Sequence, residues 1–152
     1  PFMREAIRLS EEKMHAGEGG PFGAVIVRNG AVLGRGWNRV TSANDPTAHA
    51  EVEAIRDACT NLGSFSLEGC EIYTSCEPCP MCLAAIYWAR LDALYFAASR
   101  DDAADVGFDD ALLYEEIEKP MQSRRIPTVQ FLQPEARAVL DQWIKHPNKK
   151  PY

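Results

Sequence analysis

The sequence predicts an α/β fold, a sheet containing parallel strand pairs with helices packed against it. Two observations carry that prediction. Short apolar runs of strand length alternate with longer amphipathic segments along most of the chain, the order that yields parallel strands joined by crossover helices. Near the front, Asn29-Gly30 separates two strand-like runs, and Asn-Gly accepts the positive φ of a tight hairpin turn.

Each element has its own signal. Phe2, Ala6, Ile7, Leu9 and Met14, set among Arg4, Glu5, Arg8, Glu11, Glu12 and Lys13, recur at helical spacing and predict an opening helix, which residues 17–21 end with three glycines and a proline. Residues 22–28 and 31–36 read as the hairpin strands, and 37–46, with Asn38, Thr41, Ser42, Asn44 and Asp45, as a loop. Thr47 is placed to cap a helix over 48–61 that carries His49 and Glu51 in its first turn. Residues 70–75 predict a strand, 78–90 a helix with proline near its start, and 93–98 a second short strand. Residues 101–118 read as mostly helical and 127–132 as a last strand. Ala138, Val139, Leu140, Trp143 and Ile144 mark a last helix over 135–145.

Composition narrows the function. At 152 residues, 46% hydrophobic and 25% charged, the chain suits one folded domain and excludes a disordered or collagen-like protein. The net charge of −6 is local: eight acids and no Lys or Arg fall within residues 101–118, and the rest is nearly neutral. Lys and Arg are scattered apart from Lys149-Lys150, which weighs against a nucleic-acid partner. No apolar run approaches the roughly 20 residues that span a bilayer, and residues 1–10 have neither a basic n-region nor an apolar h-region. A soluble, unsecreted protein of the cytoplasm is expected. Five cysteines is an odd number, and Cys76, Cys79 and Cys82 recur every third residue, which suits a metal site in a reducing compartment better than a disulfide framework.

The chemistry lies in His49-Ala50-Glu51 and Pro78-Cys79-Pro80-Met81-Cys82. Cys79 and Cys82, three apart at a helix start, project to one side, and the helix N-terminus favours their thiolates. With the His49 imidazole they make three ligands for zinc and leave the fourth position to water, as catalytic sites require. Zinc lowers the pKa of such a water from about 15.7 towards about 7. Glu51, two residues from His49, is the candidate that takes and returns protons. His-x-Glu with Pro-Cys-x-x-Cys is the signature of zinc nucleobase deaminases. Two other readings of these residues stay open: a closed Cys₃His zinc that recruits Cys76 in an interaction domain, and a Cys76-x-x-Cys79 redox pair. Cys59 and Cys70 read as small packed residues.

Taken together, Gly19-Gly-Pro-Phe-Gly-Ala24, Asn44-Asp-Pro-Thr-Ala-His-Ala-Glu51, Thr74-Ser-Cys-Glu-Pro-Cys-Pro-Met-Cys82, Tyr87-Trp-Ala-Arg90 and Gly107-Phe-Asp-Asp110 resemble the bacterial guanine deaminases of the cytidine deaminase superfamily. The resemblance covers almost the whole chain. It implies a three-layer α/β/α sandwich with a mixed five-stranded sheet, formed by one deaminase domain over residues 1–152. One zinc per subunit is implied on His49, Cys79 and Cys82, with Glu51 as proton shuttle. Also implied is hydrolysis of guanine at C2 to xanthine and ammonia in purine catabolism or salvage, with a free nucleobase as substrate and neither nucleic acid nor membrane as partner. By motif match Phe22, Asn38, Ala50 and Tyr152 bind substrate, and Asp110, with Glu115 and then Asp109 behind it, is the second catalytic acid. The C-terminal segment, about residues 133–152, is implied to cross to a partner subunit in a domain-swapped homodimer that brings Tyr152 to the pocket. The same chemistry on another aminated ring, an amino-triazine such as ammeline, cytosine or a nucleoside, stays open at this point because the hydrogen-bonding edges of these rings overlap.

Overall fold

Phe2–His15 forms the amphipathic opening helix, α1, in the computed structural model, which describes residues 1–152. Two units make up the chain, Pro1–Ala111 and Leu112–Tyr152. In the first, strands β1 (Gly23–Arg28) and β2 (Ala31–Trp37) pair antiparallel in the expected hairpin. Asn29 and Gly30 both adopt positive φ, 51° and 76°, as the Asn-Gly signal requires. Beyond the hairpin come α2 (Val40–Ala43), α3 (Ala50–Leu62), β3 (Glu71–Cys76), α4 (Pro80–Trp88), β4 (Ala93–Ala98) and α5 (Arg100–Asp105).

The strand order is β2-β1-β3-β4. β1 also pairs antiparallel with β3, and β3 pairs parallel with β4 across the α4 crossover, so the sheet is mixed. Alternation along β1 divides the core between its two faces. Ala24 and Ile26 join Ala50, Ala54 and Ala58 of α3 and Ile86 of α4 on one side, while Val25 and Val27 meet Leu9 of α1 on the other. Helices therefore cover both faces. On the α3 side the approach is close: a Cβ at Gly36 would overlap the Ala50 carbonyl and the Ala54 amide. The bare β2 backbone thus lets the start of α3, which carries His49 and Glu51, lie directly against the sheet.

Several boundaries differ from the sequence expectation. Thr47 does not cap α3; its amide and hydroxyl both bond the Asp45 carboxylate, at 2.8 and 2.7 Å, and extended His49 (φ −75°, ψ 155°) is the N-cap. One helical turn, α2, occupies part of the expected loop, closed by Asn44 in the left-handed region. The acid-rich stretch is two helices. A Ser99–Asp102 capping box starts α5, and the Asp109 carboxylate accepts the Ala111 N–H at 2.8 Å at the start of α6 (Ala111–Glu118).

The expected fifth strand is a correction. The sheet has four strands, and residues 127–132 form none. Ile126, Val129 and Phe131 are each 78% exposed, and Leu132 turns left-handed (φ 56°) at the start of α7 (Gln133–Lys145). Apolar, β-branched composition supplied the strand signal, but a strand exists only through a ladder partner, and this segment has none. In the second unit, which takes in α6 and α7, Glu116 binds Lys119 at 2.6 Å and the Arg125 N–H at 2.7 Å, closing the turn around Met121–Ser123. No helix is long and apolar enough to cross a membrane.

Candidate active site

Two helix starts face each other. His49 is the N-cap of α3, Cys79 the N-cap of α4, and Cys82 stands one turn inside α4. His49 Nδ1 lies 3.4 Å from Cys82 Sγ and 3.7 Å from Cys79 Sγ, and the ligand atoms of the three residues all fall within 4.8 Å of one another. With zinc–ligand bonds of about 2.0–2.3 Å, the edge of a tetrahedron is about 3.6 Å. One imidazole nitrogen and two sulfurs at that spacing fit zinc in both donor chemistry and geometry.

Electrostatics prepares the sulfurs. The Cys79 thiol is pushed down to about 4, first by its hydrogen bond with Cys82 and then by His49, against the opposing effect of burial. Cys82 moves the other way, raised by that same bond, by burial and by the Glu51 charge. The bond with Cys79 also raises the His49 imidazole. The two thiols thus move in opposite directions, Cys79 towards the thiolate that a metal requires. Cys76 is not a fourth donor: at the end of β3 its thiol donates to the Ser99 carbonyl at 3.6 Å.

Glu51, in the first turn of α3, is only 7% exposed. Burial foremost raises its carboxyl above the ordinary range, with the Cys79 charge adding, while hydrogen bonds from its own backbone and from Cys82 oppose. A carboxyl in this position holds a proton more readily than an exposed glutamate and sits within reach of a metal ligand, the property a proton carrier needs.

Asn38 follows β2 and is 8% exposed. Its Oδ1 accepts the Gly20 and Val40 N–H groups at 3.1 and 3.2 Å. With the oxygen engaged twice, the amide orientation is set, and Nδ2 is the end left to offer: Asn38 is a donor. A Cβ at Gly19 would clash with the Asn38 backbone and stand 2.7 Å from Oδ1, so glycine there keeps this arrangement. The Asn38 N–H bonds the Phe22 carbonyl at 3.0 Å, and the Arg39 N–H bonds the Ala48 carbonyl at 2.9 Å, tying this segment to the residue before His49. Phe22 meets Phe108 edge-on, ring centroids 4.8 Å apart. Ala50, the first residue of α3, is buried.

Asp110 has a side chain 16% exposed, with Arg100 Nε 3.7 Å from its Oδ1. Burial foremost raises its carboxyl, Arg100 opposes, and the Cys79 charge raises it further. Glu115, on α6, and Tyr152 belong to the second unit. A cavity of about 340 Å³ opens beside α1 and α5, with Ile7, Phe22, Cys76, Ala97 and Val106 in its wall. None of the three metal donors lines it, so this cavity is not the metal centre.

The family model of the cytidine and deoxycytidylate deaminase zinc-binding region matches residues 1–98, a span that contains all three donors and Glu51. The chain belongs to this deaminase family. It is similar to a guanine deaminase of Bacillus subtilis (strain 168), 54% identical over 99% of this chain and 97% of that protein. A tRNA-specific adenosine deaminase of Aquifex aeolicus (strain VF5) is 33% identical over 95% of this chain and 92% of its own. Among solved structures, guanine deaminase from Bacillus subtilis superposes with a TM-score of 0.97 at 54% identity, covering 99% of this chain and 96% of that one. Another, in complex with 2,6-diaminopurine, has a TM-score of 0.69 at 34% identity, covering 72% and 61%.

Three residues of this deaminase site escaped the sequence reading. Phe108 carried a signal, since it stands in the Gly107-Phe-Asp-Asp110 segment. Gly19 lies in a glycine run that read as a helix stop and as part of the Gly19-to-Ala24 motif, with no role of its own. Arg100 offered one sign, a lone cation at the head of an acid-only stretch. Among the eight acids of that stretch, Asp102 and Asp109 serve helix starts and Glu116 closes a turn, so three of the eight have structural tasks.

Proposed function

We propose that the chain is a zinc-dependent guanine deaminase that hydrolyses guanine at C2 to xanthine and ammonia, serving purine catabolism or salvage. The observation that carries this reading is the His49, Cys79 and Cys82 donor group at zinc spacing with the buried Glu51 carboxyl beside it. A structural zinc gives such a carboxyl no task. Guanine is favoured among aminated rings by the 54% identity to a guanine deaminase. The donor end of Asn38 adds to this, because the O6/N7 edge of guanine presents acceptors.

His49, Cys79 and Cys82 would hold one zinc per subunit, which when bound would supply Lewis-acid activation of water at neutral pH. Glu51 takes a proton from the attacking water as the water oxygen adds to C2, and passes the proton to the adjacent ring nitrogen. A carboxylic acid, Asp110 first and Glu115 second, protonates the amine as the C2–N bond breaks and recovers a proton from the C2 hydroxyl as the C2 carbonyl forms. Guanine and water are thereby converted to xanthine and ammonia with no other reactant. Asn38 holds the purine edge, the Phe22 ring, itself buttressed by Phe108, walls the base, and Ala50, between metal ligand and proton carrier in the sequence, completes the substrate-binding set.

The reading extends to the second unit: residues 133–152 cross to a partner copy in a domain-swapped homodimer and bring Tyr152 to the base. Val139, Leu140, Trp143 and Ile144 of α7 are 44–63% exposed, an apolar stripe of the kind that a partner surface covers. Tyr95 and Phe96 of the edge strand β4 and Tyr87 and Trp88 of α4 are exposed as well. Five free cysteines suit the reducing cytoplasm.

The test is ammonia release by the zinc-loaded protein from guanine, guanosine, cytosine, adenine and ammeline, with products identified. Guanine as the preferred substrate and xanthine as product are expected; preference for another ring, or no release from guanine, overturns the assignment.

A further inference from the structure

Asp110 lies in the non-helical link between α5 and α6, a segment whose backbone leaves an acid free to swing unless something holds it. Arg100 is placed to do so. Its own backbone is held from both sides: a capping box at Ser99, with the Ser99 N–H 2.7 Å from the Asp102 carboxylate, starts its helix, and its N–H donates to the Glu77 carboxylate at 2.9 Å. Glu77 sits in the turn from Cys76 to Cys79, and its N–H donates to the Ala98 carbonyl at 2.8 Å. Two hydrogen bonds therefore lock the turn that delivers the Cys79 ligand to the junction from which Arg100 projects. The guanidinium in turn approaches the Asp110 carboxylate to 3.7 Å, with the Arg100 side chain 35% and the Asp110 side chain 16% exposed. A path thus runs from the metal-ligand turn by hydrogen bonds through Glu77 to the Arg100 backbone, and from the Arg100 guanidinium by an ion pair at 3.7 Å to Asp110.

We propose that Arg100 is a positioning residue that holds the Asp110 carboxylate in register with the Cys76-to-Cys79 turn, so that the second acid and the metal ligands keep one geometry. This rests on the reading of Asp110 as that second acid. Arginine suits the task because its charge is permanent and its planar fork points in a set direction, whereas lysine offers the charge without the fork.

The experiment is a double-mutant cycle on the zinc-loaded full chain with guanine: Arg100→Met, Asp110→Asn and both together, with Arg100→Lys as the conservative variant. Displacement of a reacting group by about 1 Å costs up to about 100-fold, so Arg100→Met should lower kcat by about 10- to 100-fold with KM within about twofold. Arg100→Lys should recover part of the loss, all four proteins should carry wild-type zinc, and the double variant should be no slower than Asp110→Asn alone. Should Arg100→Met lose zinc or melt early, Arg100→Gln takes its place in the cycle.

Losses that add in the double variant overturn the proposal, since Arg100 would then act independently of Asp110. So does a wild-type kcat for the Arg100 variant beside an impaired Asp110→Asn, which leaves Asp110 its role. A wild-type rate for Asp110→Asn refutes the second-acid reading itself and the proposal with it.

Discussion

Asn38 joins two tasks in one side chain, and one substitution separates them. In Asn38→Asp the oxygen that accepts the Gly20 and Val40 N–H groups, now at 3.1 and 3.2 Å, is retained, and only the amide donor is replaced by a second acceptor. The fold keeps its bonds while the acceptor edge of the purine meets a carboxylate oxygen. A site built to hydrogen-bond its substrate discriminates by about 10⁴ or more when that pairing fails. A loss of about 10²- to 10⁴-fold in kcat/KM, or about 3–5 kcal/mol at 1.36 per decade, is therefore expected for guanine. Asn38→Ala removes the acceptor too and strands two N–H groups at a position 8% exposed. Each costs about 1–3 kcal/mol, and 1 kcal/mol lowers the melting temperature of a chain this long by about 2–4 °C. Asn38→Asp should thus lose activity with its melting temperature within about 3 °C of wild type, whereas Asn38→Ala should lose both. Steady-state kinetics and thermal melts decide; wild-type kcat/KM in Asn38→Asp, or an unshifted melt in Asn38→Ala, would refute the donor assignment.

Gly36→Ala drives a methyl into the Ala50 carbonyl and the Ala54 amide, so a denaturant titration should show a loss of about 1–3 kcal/mol, the usual cost of overpacking, together with weakened zinc binding; unchanged stability contradicts the close approach of α3. Deleting residues 149–152 should leave zinc bound and impair turnover, and unchanged kinetics would refute the placement of Tyr152 at the base. Glu18, Asp45, Asp102 and Glu116 are held below the ordinary carboxylate range by Lys13, Thr47, Ser99 and Lys119 respectively. A lowered folded pKa contributes stability above the unfolded value that is lost as pH falls through the folded one, while the raised Asp110 has the opposite sign and offsets part of the loss. Melting temperature should accordingly hold between about pH 6 and 8 and fall below about pH 4; a rise on acidification contradicts this balance.

Local rules made much of this molecule legible. Asn29-Gly30 specified its turn by backbone chemistry alone, Ala93–Ala98 emerged as the strand its composition announced, and three ligands were readable because each motif sits at a helix start. What escaped depends on pairing between distant residues. Residues 127–132 have strand composition without a neighbour to bond, and the α3 start is moved by an Asp45–Thr47 bond that competes with capping. At the site, the type of Asn38 was readable but not which end it offers, since that is decided by the amides of Gly20 and Val40. Arg100 stood out as a lone cation before an acid-only stretch, but which acid it meets was not readable, because that partner lies ten residues on across a helix and a turn.

The central claim is that Glu51 carries protons for water activated at the His49, Cys79 and Cys82 centre. The most direct measurement compares zinc content and ammonia release from guanine in wild type and Glu51→Gln, a change that keeps size and hydrogen-bonding capacity while removing the titratable proton. Wild-type zinc and a fall in kcat of about 10²- to 10⁴-fold are expected. Wild-type ammonia release from the zinc-loaded variant would contradict the claim.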